Sequence, residues 1–256
     1  MSDAPVRVEA SEEGAYWRVL LDRPKANVID AAMVAALDAV FDRAGADRNL
    51  KAVCLEGAGP HFSFGASVEE HLPETVGAML QGFHGLFRTI AASEVVVLAA
   101  VRGQCLGGGL ELAAFCHRVF AAPDAQIGQP EIRLGVLAPV ASVILAERAG
   151  RGAAEDLCLS GRSLGAEEAR ACGCVDEVAD DPAAAALTYA QRNLLKHSAS
   201  SLRHAVHAVR SGWYARLWKE LDAVEAYYLE HLMSTRDAEE GIRSFLEKRK
   251  PEWSNG

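Results

Sequence analysis

The chain has 256 residues, and half of them are hydrophobic, which is enough for one sizeable core and excludes global disorder. Its net charge of −9 argues against nucleic acid or an anionic membrane as the main partner, yet leaves room for a small anionic ligand held by a few local cations and helix N-termini. No run of about 18 apolar residues offers a membrane span, and the start, MSDAPVRVEASEEG, lacks the basic and apolar regions of a signal peptide. Six scattered cysteines (54, 105, 116, 158, 172 and 174) then lead to the expectation of free thiols in a reducing cytoplasm.

In chain order, AYWRVLLDR (15–23) reads as a strand, and Asp30 is placed to cap a helix over AAMVAALDAVFDRA. KAVCLEG (51–57) reads as a second strand, closed by the loop AGPHFSFGASVEEHLP, and a helix is expected across 76–92. EVVVLAAVRGQC (94–105) reads as one buried strand leading straight into three glycines. ELAAFCHRVFAAP reads as helix then strand, DAQIGQPEIRLG as a loop, and VASVILAERAG as a helix. Beyond 151 the pattern is mostly helical, with DDPAAAA (180–186) as a helix start and long runs from 183 to 248. β/α alternation followed by helices predicts an α/β core with a helical C-terminal region. No internal repeat or low-complexity linker interrupts it.

The stretch CLGGGLELAAFC (105–116) raises the chemical question. A strand, a glycine turn and a helix start together make an anion site, because the first N–H groups of a helix lack internal partners and carry partial positive charge. The glycines do not follow the dinucleotide fingerprint, and no Walker lysine follows them. An oxyanion hole is the other chemical reading, and it needs a second N–H, which the loop FSFGAS (62–67) could supply. Close helix–sheet packing is the plain structural alternative. Glu111 lies in the first helical turn and Glu131 follows a proline in GQPEIRLG. Two carboxylates flanking one oxyanion site suit water addition, one deprotonating water and the other delivering a proton to carbon.

Taken together these segments resemble the crotonase superfamily of enoyl-CoA hydratases and isomerases, nearly end to end. LDRPKANVID resembles the family's first CoA-contacting segment, FSFGASVEEH its first oxyanion loop and VRGQCLGGGLELAAFCH its second. AQIGQPEIRLGV resembles the segment bearing the second acid, and GIRSFLEKRKPEW the C-terminal signature. The resemblance implies an α/β fold built as a ββα spiral over 1–196, with a helical trimerisation region over 197–256. It implies Ala66 and Gly108 as oxyanion N–H donors and Glu111 and Glu131 as the acid–base pair. Arg23, Lys25, Phe64, Ala66 and Lys248 are then expected at the CoA site, although a solvated surface role is open for each of the three cations. No metal or redox cofactor is implied, since coenzyme A arrives with the acyl-CoA thioester substrate. The expected assembly is a homotrimer or a dimer of trimers, without nucleic acid or membrane.

Two departures stand out. Where the family loop carries Asp and then a basic residue, this chain has Ser67 and Glu69, so different adenosine contacts are expected. Where common hydratases have a glycine-rich stretch, it has GVLAPVASVILAERAGR, whose Val, Ile and Ala side chains are expected to narrow the acyl pocket; neutral repacking is the alternative. With RPKANVID and FSFGASVEEHLP, that stretch resembles the hydratases of cyclic dienoyl-CoA thioesters. A general enoyl-CoA hydratase or isomerase is the alternative, followed by a thioesterase or a non-catalytic acyl-CoA binder of the same fold. Elsewhere, His204 and His207 share a helix face without a third metal ligand, and Trp213, Tyr214 and Trp218 read as helix packing.

Overall fold

A computed structural model describes residues 4–256. Met1–Asp3, where the reading for an export signal begins, lie outside the described residues. The chain enters through β1 (Val6–Ser11), which the sequence reading did not foresee, and returns antiparallel as β2 (Tyr16–Leu21). Helix α1 (Ala31–Ala46) starts where expected, because the Asp30 side chain accepts from Met33 N–H at 2.8 Å. β3 (Ala52–Gly57), α2 (Val76–Ser93) and β4 (Val96–Val101) follow, and all six residues of β4 are buried, as befits a central parallel strand covered on both faces.

The run expected as a single strand over 94–105 is two. The chain turns at Arg102–Gly103 and resumes as β5 (Gln104–Leu106), which belongs to a different sheet. The glycines then open α3 (Gly108–Phe115), every residue of which is buried. β6 (Arg118–Ala121) returns to the main sheet, and the expected loop that follows contains a short strand, β7 (Gln126–Gly128), and a 3₁₀ turn over Pro130–Leu134. α4 (Pro139–Ala149), α5 (Arg151–Ser160), β8 (Ser163–Gly165), α6 (Ala166–Cys172), β9 (Glu177–Val178) and α7 (Pro182–Asn193) complete this part, with Asp181 capping α7 through Ala183 and Ala184 N–H at 3.1 Å.

The six-stranded sheet runs β1-β2-β3-β4-β6-β9, parallel apart from the β1–β2 pair, and the small sheet runs β5-β7-β8. α8 (Ala199–Glu230) and α9 (Arg236–Leu246) form the C-terminal region. Tyr214 of α8 stacks on Phe115 of α3 at 5.7 Å between ring centroids, with Trp213 and Trp218 beside them, so these aromatics pack helix on helix as expected. His207 pairs with Glu94 at 2.8 Å. Among the described residues no group of three or more metal-ligating side chains occurs, and no helix is long and apolar enough to cross a membrane.

Candidate active site

The small sheet brings the glycine turn and the second acid together. β5 and β7 pair in parallel with Leu106 opposite Gly128, and Gly107 N–H donates to Gly128 O at 2.9 Å. Glu131 stands three residues past the end of β7, so its carboxyl reaches the turn itself. Gly107 has φ +52°, and a side chain there would collide with Glu131 Oε1. Bare backbone is needed at this position both for the turn and for the acid's approach.

The loop FSFGAS (62–67) is held by residues that the motif reading passed over. Asn27, fully buried, donates through Nδ2 to the carbonyls of Ala58, His61 and Phe62 at 3.0–3.1 Å and accepts from Arg23 N–H at 3.0 Å. Ser63 Oγ donates to Asn27 O at 2.7 Å and accepts from Gly65 N–H at 3.0 Å. These bonds press the loop against the glycine turn: a Cβ at Gly108 would lie 3.2 Å from Ala66 N. Among the described residues neither Ala66 N–H nor Gly108 N–H has an acceptor, so two backbone donors stand side by side and unspent. The Asn in RPKANVID was the available signal for this scaffold, since a fully buried amide beside a turn is an organiser of backbone.

Both donors and both carboxyls line one cavity of about 750 Å³. Glu111 is buried, and its Oε1 accepts from Ala141 N–H at 2.7 Å, placing the carboxyl on the first turn of α4. Burial raises its pKa well above the usual carboxylate range, the Glu131 charge raises it further, and the α4 N–H groups oppose both. Burial likewise raises Glu131, whose Oε2 is enclosed without a hydrogen-bond partner. The pair therefore retains a proton far above the pH at which free carboxylic acids lose theirs.

Phe64 also lines the cavity, packed edge-on to His61 with ring centroids 5.0 Å apart. The expected cations do not. Arg23 is exposed and paired with Asp30 at 2.7 Å, and Lys25 and Lys248 are exposed away from the cavity wall. Arg133 and Arg249 line it instead. Arg249 is bound by Glu240 and Glu247, whereas Arg133 has no hydrogen bond or ion pair among the described residues. Ser67 and Glu69 lie on the wall too. Of the stretch GVLAPVASVILAERAGR, whose Val, Ile and Ala side chains are expected at the acyl pocket, the Val and Ile side chains of α4 do not reach the cavity, whereas Ala138 does. Val140 and Ile144 pack in the core, and Leu137, Ala138 and Pro139 are the residues of this stretch on the wall.

A cavity with paired N–H donors facing paired, proton-retaining carboxyls defines a site for carbonyl activation coupled to proton transfer. The sequence model described as enoyl-CoA hydratase/isomerase matches residues 12–256, and the chain belongs to that family. It is 51% identical over 257 residues to the cyclohexa-1,5-dienecarbonyl-CoA hydratase of Thauera aromatica, with all of both chains covered. Identity to the carnitinyl-CoA dehydratase of Proteus mirabilis (strain HI4320) is 31%, covering 94% of this chain and 95% of that one. The crystal structure of an enoyl-CoA hydratase from Mycobacterium avium superposes with a TM-score of 0.87 at 25% identity, covering 99% of this chain and 100% of that one.

Proposed function

We propose that this chain is a hydro-lyase that adds water to cyclohexa-1,5-diene-1-carbonyl-CoA in a 1,4 sense, giving 6-hydroxycyclohex-1-ene-1-carbonyl-CoA. The observation that carries the reading is the convergence of Ala66 N–H, Gly108 N–H, Glu111 and Glu131 on one cavity. The full-length identity to the Thauera aromatica protein supports the cyclic substrate within it.

In this mechanism the thioester oxygen accepts from Ala66 and Gly108 N–H. One carboxylate of the pair takes a proton from water as the oxygen attacks the ring carbon β to the thioester carbonyl. The displaced electron pair becomes a dienolate whose charge rests on the held oxygen. The protonated partner then delivers its proton to the γ carbon, at the far end of the diene, and the remaining double bond moves into conjugation. One water is added and nothing is oxidised or reduced, so proton transfers alone balance the reaction. The raised pKa values suit these roles, because each acid must take and return a proton near neutral pH.

The same reading takes 1–196 as the catalytic core and 197–256 as the assembly region of a homotrimer or a dimer of trimers. Exposed Val209 and Tyr227 support that assignment, and light scattering on dilute protein tests it. The substrate is tested with a panel of thioesters in D₂O. The cyclic dienoyl-CoA is expected to turn over much faster than crotonyl-CoA and to place deuterium on the γ carbon. Faster crotonyl-CoA turnover identifies a general enoyl-CoA hydratase, and label on the α carbon rejects 1,4-addition.

A further inference from the structure

The two backbone donors of this site are aimed from behind, through the carbonyls of the peptides they belong to. In a trans peptide the N–H and the C=O point in opposite directions, so a group that grips the carbonyl of one residue aims the N–H of the next. Gly65 O accepts from Ile29 N–H at 2.9 Å, and this bond sets the direction of Ala66 N–H. Gly107 O accepts from Glu111 N–H at 3.0 Å, the first helical bond of α3. The Gly107–Gly108 peptide needs more than that bond. It lies between two glycines, and Gly107 stands at φ 52° and ψ −127°, outside the wells that hold ordinary residues. Side-chain sterics therefore do little to stop this peptide plane from rotating.

A buried side chain supplies the second grip. Gln129 is 1% exposed and is not one of the residues on the cavity wall. One terminal atom of its amide lies 2.9 Å from Gly107 O and 3.2 Å from Gly128 O. Carbonyl oxygens only accept, so this atom is the amide nitrogen, donating to both. Gly128 O also receives Gly107 N–H at 2.9 Å, so the amide closes a set of bonds around the junction of β5 and β7. It does so on the carbonyl side of the Gly107–Gly108 peptide, opposite the N–H that faces the cavity. A donor on a peptide carbonyl also polarises that peptide and makes its N–H a stronger donor.

We propose that Gln129 is a positioning residue of the oxyanion hole: by holding Gly107 O from behind, its side-chain amide aims and strengthens Gly108 N–H. The proposal rests on the reading of Gly108 as an oxyanion donor and adds the side chain through which that donor is held. Gln129 touches neither substrate nor the reacting atoms. Its effect reaches the reaction through the peptide alone.

The test reads the bound carbonyl directly, with a thioester that cannot be hydrated. Cyclohexanecarbonyl-CoA carrying ¹³C at the thioester carbonyl is bound to the full chain and observed by isotope-edited difference infrared spectroscopy. In the wild-type protein the carbonyl stretch is expected at lower frequency than in solution, as two aligned donors require. Gln129→Met keeps the length of the side chain without the donor and should lose at least half of that downshift. Its kcat on the cyclic dienoyl-CoA should fall about tenfold, short of the ~10²–10³-fold loss on deleting an oxyanion donor, with KM changed less than about threefold. Gln129→Asn, whose amide stops one methylene short, should also lose part of the downshift, and it carries the test if the Met variant does not fold. A full wild-type downshift in either folded variant overturns the proposal whatever happens to kcat, because a packing role lowers turnover without weakening the bond to the carbonyl. Failure of the cyclic reading is distinguishable: ¹³C-labelled butyryl-CoA reports the same carbonyl, and a Gln129-dependent shift with it upholds the proposal for a straight-chain substrate. An unshifted carbonyl in the wild type with both thioesters overturns the oxyanion reading and the role of Gln129 together.

Discussion

Glu111 and Glu131 face one cavity from walls of different construction. Glu111 leaves a wholly buried helix, α3, and its carboxyl is tied at 2.7 Å to the backbone of a second helix, α4. Glu131 leaves a 3₁₀ turn at the end of a three-residue strand, and one of its oxygens has no partner. One acid is fixed by two helices and held toward its charged form by helix N–H groups; the other is placed by a short ladder and left free at its tip. Burial raises the pKa of both, so what separates them is restraint rather than desolvation.

The largest expected effect comes from removing either acid. Glu111→Gln and Glu131→Gln should each lower turnover by ~10²–10⁴-fold with an unchanged circular dichroism spectrum. Near-normal hydration by either purified variant would remove that residue from the chemistry. A smaller and one-sided effect should follow from Ala141→Pro. This substitution deletes the N–H that holds Glu111 but sits in the first turn of α4, where proline is tolerated. The Glu111 pKa should rise further, so the limb of the pH–activity profile that Glu111 controls should move to higher pH. A uniform loss across the pH range would mean that the α4 contact does not tune this acid.

Much of this site is legible in the sequence motifs. The glycines, Glu111, Glu131 and the FSFGAS loop were readable because each is a local pattern with a chemical reason. α1 and α2 were readable from apolar periodicity and, for α1, from the Asp30 cap. β5 and β7 were not, because three residues of strand carry too little alternation, and their pairing is set by the neighbour they meet rather than by their own sequence. The choice of Arg133 and Arg249 over Arg23, Lys25 and Lys248 was hidden for a related reason. Which cation reaches a cavity depends on how the 3₁₀ turn and α9 pack together, and nothing in a lone Lys or Arg records that.

Stability offers a subtler separation of the two acids from their surroundings. A carboxyl whose folded pKa is raised binds its proton more tightly when folded, so its burial weighs least below the unfolded pKa. The full penalty is present once pH has risen through the folded pKa. Glu111→Gln keeps an oxygen for Ala141 N–H and has no charge to bury. Its unfolding midpoint should therefore gain on the wild type as pH is raised from 5 to 9, and parallel curves would contradict the raised pKa. The smallest effect is expected at Tyr228, fully buried with a hydroxyl that has no partner. Tyr228→Phe should leave Tm unchanged or slightly higher. A clear drop would reveal a hidden donor–acceptor link on this side of the site.

The β5–β7 ladder works as a caliper. It sets the separation of the glycine turn and Glu131 by paired backbone, Leu106 to Gly128 and Gly107 to Gly128, and not by the length of chain between them. Insertions in this stretch should therefore be judged by place and not by size. An extra residue at the exposed Pro123–Asp124 tip leaves the ladder in register, so the acid keeps its station. An extra residue between Gly128 and Glu131 turns the carboxyl away from the glycine beside which it must lie. Loop grafts that lengthen the tip offer a route to reshaping the surface of this enzyme without disturbing its acids.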